Sequence, residues 1–255
     1  MTAANNQIFI SIASYCDAQL VPTVNDLIAK ATHPDRLRFG ICWQHGPREP
    51  TLPFSDDPRF RILDVDWRAS KGACWARAEI MSLWRGEEWF LQVDSHCRFA
   101  LGWDETLIEL ARQTGSTKPV ISTYGSPFKP AQQAGEEEAL DANPMLIAFQ
   151  TFTEDKIPEL RPVSMVGWRQ RTAPMRARFI GAGFVFAPGC FVQEVPYDPE
   201  LYFYGEESTM TVRAFTHGYD LFHPHVPLVW HDYIRDSATR HWDNHTADTE
   251  GTFDW

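Results

Sequence analysis

The sequence predicts an α/β fold in which helices flank a mainly parallel central sheet, followed by a C-terminal arm. Strand-like and helix-like segments alternate through the first half of the chain, the pattern of repeated βαβ units. The run Trp89–Val93 is short, apolar and bounded by polar residues, as a buried strand is. The chain has 255 residues, 44% of them hydrophobic, and neither an internal repeat nor an inter-domain linker, so it reads as one domain with a real core. That domain is expected over residues 1–233 and the arm over residues 234–255.

Gln7–Ala13 reads as the first strand and Ser14-Tyr15-Cys16-Asp17 as the loop after it. From about Gln19 to Ala31, the residues Leu20, Val24, Leu27, Ile28 and Ala31 fall on one helical face. His33-Pro34 ends that helix, because the residue before a proline avoids the helical region. Leu37–Trp43 and Arg59–Val65 are the second and third strands, separated by a proline-rich loop. The next helix begins near Lys71-Gly72 and carries Ala73, Ala76, Ile80, Leu83 and Trp84 as its apolar stripe. Trp89–Val93, ending in Asp94, is the fourth strand. A helix from about Trp103 to Gln113 turns Leu107, Leu110 and Ala111 inward, and Pro119–Tyr124 is the fifth strand. Residues 125–145 are rich in Pro, Gly, Gln and Glu and read as a mobile loop, with Glu136-Glu137-Glu138 solvated; long loops of this kind are often functional.

The second half is less regular. Leu146–Phe152 and Arg178–Pro188 read as strands, and Glu206–His217 as a helix between Gly205 and Gly218. Tyr219–Phe222 and Val226–Trp230 are short strands around a His-Pro-His turn. The stretch Ile234–Trp255 is polar with isolated Trp residues.

A net charge of −11 argues against a nucleic-acid partner, which calls for a basic face; a nucleotide needs only a local positive pocket. Ten Trp are many for this length, enough for some to line a site. The five Cys are scattered without a Cys-x-x-Cys pair, the usage of reduced thiols in a cytoplasmic protein. Ile8–Ala13 is too short for a signal sequence and lacks a basic flank. No apolar run reaches the ~20 residues that span a bilayer, so no transmembrane segment is expected.

Asp94 and His96 stand two residues apart where the fourth strand leaves the sheet. On a strand such residues share a face, so a carboxylate and an imidazole can share one divalent ion there. Ligands of open α/β sheets bind beyond the carboxyl ends of the strands. Three more segments point the same way. Tyr15, in the loop after the first strand, can stack on a base, and Asp17 can accept a hydrogen bond from it; an ordinary polar turn has the same composition. In Asp66-Trp67-Arg68-Ala69-Ser70-Lys71-Gly72, Gly72 lets backbone approach a ligand, and a helix start with Arg77 nearby suits phosphate oxygens. Gly181-Ala182-Gly183 sets small residues in an apolar run, the mark of a bulge or of a ligand close to the backbone. Glu206 and Glu207 open a helix, where they favour its dipole, but capping leaves the preceding aromatic run Tyr202-Phe203-Tyr204 unexplained.

The order Asp94-Ser95-His96-Cys97, then Gly181-Ala182-Gly183-Phe184, then Tyr197 to Glu207, then a downstream His resembles retaining glycosyltransferases of the glycosyltransferase A (Rossmann-like) fold. The nearest match is the GlcNAc-transferase family that includes UDP-GlcNAc:polypeptide (hydroxyproline) α-N-acetylglucosaminyltransferases; the polypeptide GalNAc-transferases are more distantly similar. The resemblance runs from about Ile8 to Trp242. It implies Asp94 and His96 as metal ligands and Glu206, with Glu207 beside it, as the acid holding donor-sugar hydroxyls. It implies Gly181, Ala182 and Gly183 around the sugar, Ala13, Tyr15 and Asp17 around the uridine, and Arg77 near nucleotide and sugar. Asp66, Gly72 and Ser95 complete the expected donor contacts. Arg98 departs from the pattern, since the GalNAc-transferases carry Glu there, and the donor sugar stays open between GlcNAc and others.

The reaction so implied moves a sugar from a UDP-sugar to an acceptor hydroxyl on a protein, glycan or lipid, with retention. One carboxylate plus imidazole suits Mn2+ better than Mg2+, which prefers oxygen ligands, although Mg2+ also serves as such a cation. A His after the Gly-Glu helix is asked for as third ligand, from His223, His225 and His231. His231 is preferred because it leaves a strand end, with Asp232 placed to hold its second ring nitrogen. The competing readings are another nucleotide-sugar or nucleotidyl transferase, which a donor-hydrolysis screen separates, and a non-catalytic sugar-binding protein, which would ignore UDP and Mn2+.

Overall fold

The chain begins with β1 (Ile8–Tyr15), α1 (Leu20–Lys30), β2 (Leu37–His45), β3 (Phe60–Asp66), α2 (Ala73–Met81) and β4 (Trp89–Asp94). It continues through β5 (Cys97–Phe99), α3 (Trp103–Gln113), β6 (Pro119–Ser122), β7 (Ser126–Lys129), β8 (Ala139–Leu140) and the hairpin β9 (Met145–Phe152) and β10 (Pro158–Ser164). Last come β11 (Met175–Arg176), β12 (Phe184–Pro188), α4 (Phe191–Glu194), α5 (Glu206–Thr216), β13 (Asp220–His223), β14 (Val229–His231) and α6 (His241–Asn244). This computed structural model describes residues 6–47, 49–131, 143–235 and 238–245, and the backbone alone at 139–140.

Among the described residues the central sheet has eight strands in the order β11-β13-β6-β12-β4-β1-β2-β3. β1 lies parallel between β2 and β4, β3 extends this run, and β13 is parallel to β6. β12 runs antiparallel between β4 and β6, and β11 antiparallel to β13. Side chains alternate across the sheet. Ile8, Ile10, Ile12, Leu91 and Val93 meet Leu20, Val24 and Leu27 of α1 and Trp103 and Leu107 of α3. On the other face Phe9, Phe90 and Val185 meet Ala76 and Ile80 of α2 and Met210 of α5. Cover on both faces is why these strands read as nearly continuous apolar runs.

Ala13 pairs with Asp94, so β1 and β4 end at one level and the loops after them open side by side. Beyond that edge lies a smaller sheet, in the order β5-β14-β7-β8. In it His231 pairs with Cys97, which returns the end of β14 to the end of β4.

The predicted elements of the first half appear with ends shifted by a few residues. The differences lie elsewhere. The expected strand Arg178–Pro188 shortens to Phe184–Pro188, because Phe184 N–H turns back to the Gly181 carbonyl. Part of the expected loop 125–145 is β7, fixed between β14 and β8. Glu136-Glu137-Glu138 lies outside the described residues. The polar tail contains α6, and of the expected arm residues 236–237 and 246–255 lie outside the described residues. Among the described residues no helix is long and apolar enough to cross a membrane.

Candidate active site

Asp94, the last residue of β4, places one carboxylate oxygen on each of two partners. Arg77 donates to Oδ1 at 3.1 Å and His231 Nε2 lies 3.1 Å from Oδ2. Burial opposes ionisation of Asp94, but the hydrogen bond from His231 and the charge of Arg77 outweigh it and hold the carboxyl well below the usual range. His96 arrives by a different route from the expected strand alternation. The strand stops at Asp94 and a bend carries Ser95 and His96 out. His96 Nδ1 then sits 2.7 Å from Asp17 Oδ2, which leaves Nε2 as its free nitrogen. Asp94, His96 and His231 each offer a ligand atom, all within 4.8 Å of one another.

These residues fit a divalent cation. The set holds one carboxylate oxygen and two imidazole nitrogens, the mixture that favours Mn2+ over Mg2+. Burial lowers the pKa of His231, so its ring is neutral and able to bind a cation. Gly183 keeps the face of Asp94 clear, for a Cβ there would lie 3.0 Å from Oδ2. Asp17 was expected beside a nucleobase, yet its carboxylate is already engaged: it binds His96, accepts from Ser95 Oγ at 2.7 Å and from Arg235 at 3.2 Å. Burial pushes its pKa up, but the bond and charge of His96 prevail and hold it at about 2. Asp17 therefore fixes the His96 tautomer, the carboxylate support common behind metal-binding histidines. His231 lacks such support. Its Nδ1 has no hydrogen-bond partner among the described residues, and Asp232 instead accepts from the Ile234 and Arg235 backbone amides, closing a turn.

Arg77, expected near nucleotide and sugar, is buried and joins two acids. Its Nη1 donates to Glu206 Oε1 at 2.9 Å while Nη2 reaches Asp94. Glu206 is also bound by the Cys74 thiol, 3.2 Å from Oε2. Glu207 turns away to a separate pair: Tyr124 O–H donates to Oε2 at 2.6 Å and Ala182 N–H to Oε1 at 2.8 Å. Burial, chiefly, raises the Glu207 pKa to about 7. Gly181 packs against Tyr124, where a Cβ would come within 2.9 Å of the ring.

These groups surround two cavities that share Arg77, Asp94, Phe203, His231 and Tyr233. The larger, about 430 Å³, is within the usual range for ligand sites and also touches Ala13, Tyr15, Gly72, Ser95 and His96. The smaller, about 160 Å³, is walled by Ala182, Gly183, Glu206 and Glu207. Tyr15 lies under the arm: its ring is 4.9 Å from His241, and Asn244 donates to its hydroxyl at 3.1 Å. Asp66 is not among the residues lining either cavity; it is exposed and caps a turn through the Arg68 amide at 2.9 Å. Arg98 is buried away from both, its guanidinium over Phe128 and hydrogen-bonded to Gln19. His223 is spent on the Ser122 carbonyl at 2.8 Å, and His225 does not join the cluster.

Several residues of the candidate site have contacts there that their place in the sequence does not suggest. Tyr124 and Cys74 carry no local signal. Gln92 does: it is polar within an apolar strand and, being buried, must be satisfied. Its amide donates to the Ala182 carbonyl at 2.6 Å and to the Tyr197 hydroxyl at 2.7 Å, tying β4 to the 181–183 turn.

The family model described as "Glycosyltransferase (GlcNAc)" matches residues 7–56 and 54–252. Among solved structures, GalNAc-T7 with UDP, GalNAc and Mn2+ superposes with a TM-score of 0.63 at 18% identity, over 89% of this chain and 44% of that one. Staphylococcus aureus TarS (1-349) superposes at 0.56 with 12% identity, over 90% of this chain and 61% of that one. Its complex with UDP-GlcNAc gives 0.54 with 12% identity, over 94% and 61%. The chain thus shares the fold of these glycosyltransferases while spanning less than two thirds of either. No curated protein sequence matches it significantly.

Proposed function

The chain belongs to the GlcNAc glycosyltransferase family, and from that premise we propose that it is a metal-dependent retaining glycosyltransferase. It moves a sugar, GlcNAc first, from a UDP-sugar to an acceptor hydroxyl on a protein, glycan or lipid. The observation that carries this reading is one cleft in which the cluster Asp94, His96 and His231 faces Glu206 across Arg77. The solved neighbours were crystallised with UDP, GalNAc and Mn2+ or with UDP-GlcNAc, which supports the choice of ligands.

Asp94, His96 and His231 would hold Mn2+, which supplies Lewis-acid neutralisation of the diphosphate as the sugar bond breaks. Ala13, Tyr15 and Gly72 border the nucleotide end of the larger cavity. Gly183, Ala182 and Glu206 border the smaller one, where Glu206 accepts hydrogen bonds from sugar hydroxyls. Glu207 contributes by anchoring the Ala182 amide. Retention by same-face attack is supported by the tasks of the carboxylates in the cleft: Asp94 belongs to the cation cluster, Glu206 is paired with Arg77 and Glu207 anchors the Ala182 amide, so each has a role other than that of nucleophile. Residues 1–233 form the catalytic unit in this reading, and residues 238–245 of the arm close the nucleotide side through His241 and Asn244 against Tyr15.

Incubating the protein and Mn2+ with UDP-GlcNAc, UDP-GalNAc and UDP-glucose, over peptide, glycan and lipid acceptors, tests the proposal by mass spectrometry. A product one sugar heavier, with the donor's anomeric configuration by NMR, is expected. Donor hydrolysis alone, or no UDP-sugar consumption over the whole panel, would contradict it.

A further inference from the structure

Helix α2 presents Cys74 and Arg77 three residues apart, hence on one face. Both reach the same carboxylate, that of Glu206 at the first position of α5. Cys74 Sγ is 3.2 Å from Oε2 and Arg77 Nη1 is 2.9 Å from Oε1. Cys74 is fully buried and belongs to the apolar cluster that contains Phe9, Cys42 and Ala76. Burial and the charge of Glu206 push the Cys74 pKa far up, so its proton stays on sulfur and the S–H is a permanent, if weak, donor.

We propose that Cys74 is a positioning residue that locks the Glu206 carboxylate in the orientation from which it meets the donor sugar. This rests on the reading of the cleft as a UDP-sugar site. A carboxylate oxygen has two lone pairs. With one on each oxygen fixed by α2, the plane of the Glu206 carboxylate is set, and one acceptor position per oxygen is left for a pair of hydroxyls. Glu206 lines the smaller cavity, where those hydroxyls would lie. Without Cys74, Arg77 alone would hold one oxygen and the carboxylate could turn about it. Serine, with a stronger donor on a similar stem, would keep the lock.

Calorimetry with Mn2+ and two probes, UDP and UDP-GlcNAc, tests this on Cys74→Ala and Cys74→Ser. Cys74→Ala is expected to weaken UDP-GlcNAc about five- to tenfold, the worth of one ordinary hydrogen bond, because the charge of the acceptor is offset by the weakness of the thiol donor. UDP, which has no sugar, should stay within about twofold of wild type on the same argument. Cys74→Ser should restore UDP-GlcNAc binding. Unchanged UDP-GlcNAc affinity in Cys74→Ala overturns the proposal, as does an equal loss of both probes that serine fails to rescue. A second measurement needs no ligand: a double-mutant cycle of Cys74→Ala with Glu206→Gln on unfolding stability. Coupling between the two supports the lock and additivity overturns it. If wild type binds no UDP-GlcNAc, the functional reading falls and this cycle alone decides on Cys74.

Discussion

Arg77→Met leaves Asp94 and Glu206 facing one another without the guanidinium that joins them. Removing one member of a buried charged set strands the others, at a cost of about 3–5 kcal/mol. Urea unfolding of the variant should show a loss of that size, and a variant as stable as wild type would mean the acids are solvated. Asp17→Asn makes a finer change. It keeps the shape but removes the charge that fixes His96, so Mn2+ affinity should fall about 10–100-fold while the fold survives. Calorimetry of Mn2+ in the presence of UDP reads this directly. Glu207 gives a pH signature. Its folded pKa of about 7 lies above the ordinary carboxyl value of 4.5. The folded state therefore binds the proton more tightly than the unfolded chain. The stability this brings is fully present below about 4.5 and is lost as pH rises through about 7, on the order of 3 kcal/mol in all. His231, whose pKa is lowered by burial, works in the opposite sense, so the measurement is the difference between wild type and Glu207→Gln from about pH 4.5 to about pH 8. Wild type should lose about 3 kcal/mol relative to Glu207→Gln as pH rises across that interval; parallel curves would show that Glu207 ionises freely.

Helix α2 carries both groups that hold Glu206, and its start is set by Gly72. That residue has φ of +102°, and a Cβ there would lie 2.9 Å from the Tyr202 ring. Gly72→Ala should cost about 1–3 kcal/mol from backbone strain, and should weaken UDP-GlcNAc binding as Cys74 and Arg77 shift. A melting temperature and donor affinity equal to wild type would separate the helix start from the site. The sequence made α1, α2, α3 and the parallel strands readable because each buries a face with its own period. β5 and β7 were not readable. Cys97–Phe99 is three residues long, and Ser126–Lys129 sits in a stretch whose composition is that of a loop. Both are strands only because β14 lies between them, a pairing across more than a hundred residues that no local pattern records.

Across the molecule, the site is assembled from the ends of β1, β4 and β14, the turn before β12, and the starts of α2 and α5. The positions of Asp94, His96, Glu206 and Gly183 could be read from short motifs because each motif sits at an element end. The partners inside the site could not. Asp17 looks like any loop acid until His96 is placed against it, and Asp232 looks like a natural support for His231 until the turn to Arg235 claims it. Which acid supports which base is decided by packing between distant segments. In the proposed function, one cleft couples a cation held by Asp94, His96 and His231 to a UDP-sugar. Calorimetric titration of UDP-GlcNAc into wild type with Mn2+, into wild type with EDTA, and into His231→Ala with Mn2+ tests it most directly. Saturable binding is expected in the first case and at least about tenfold weaker binding in the other two, consistent with loss of a metal ligand. Equal UDP-GlcNAc affinity in all three titrations would contradict it.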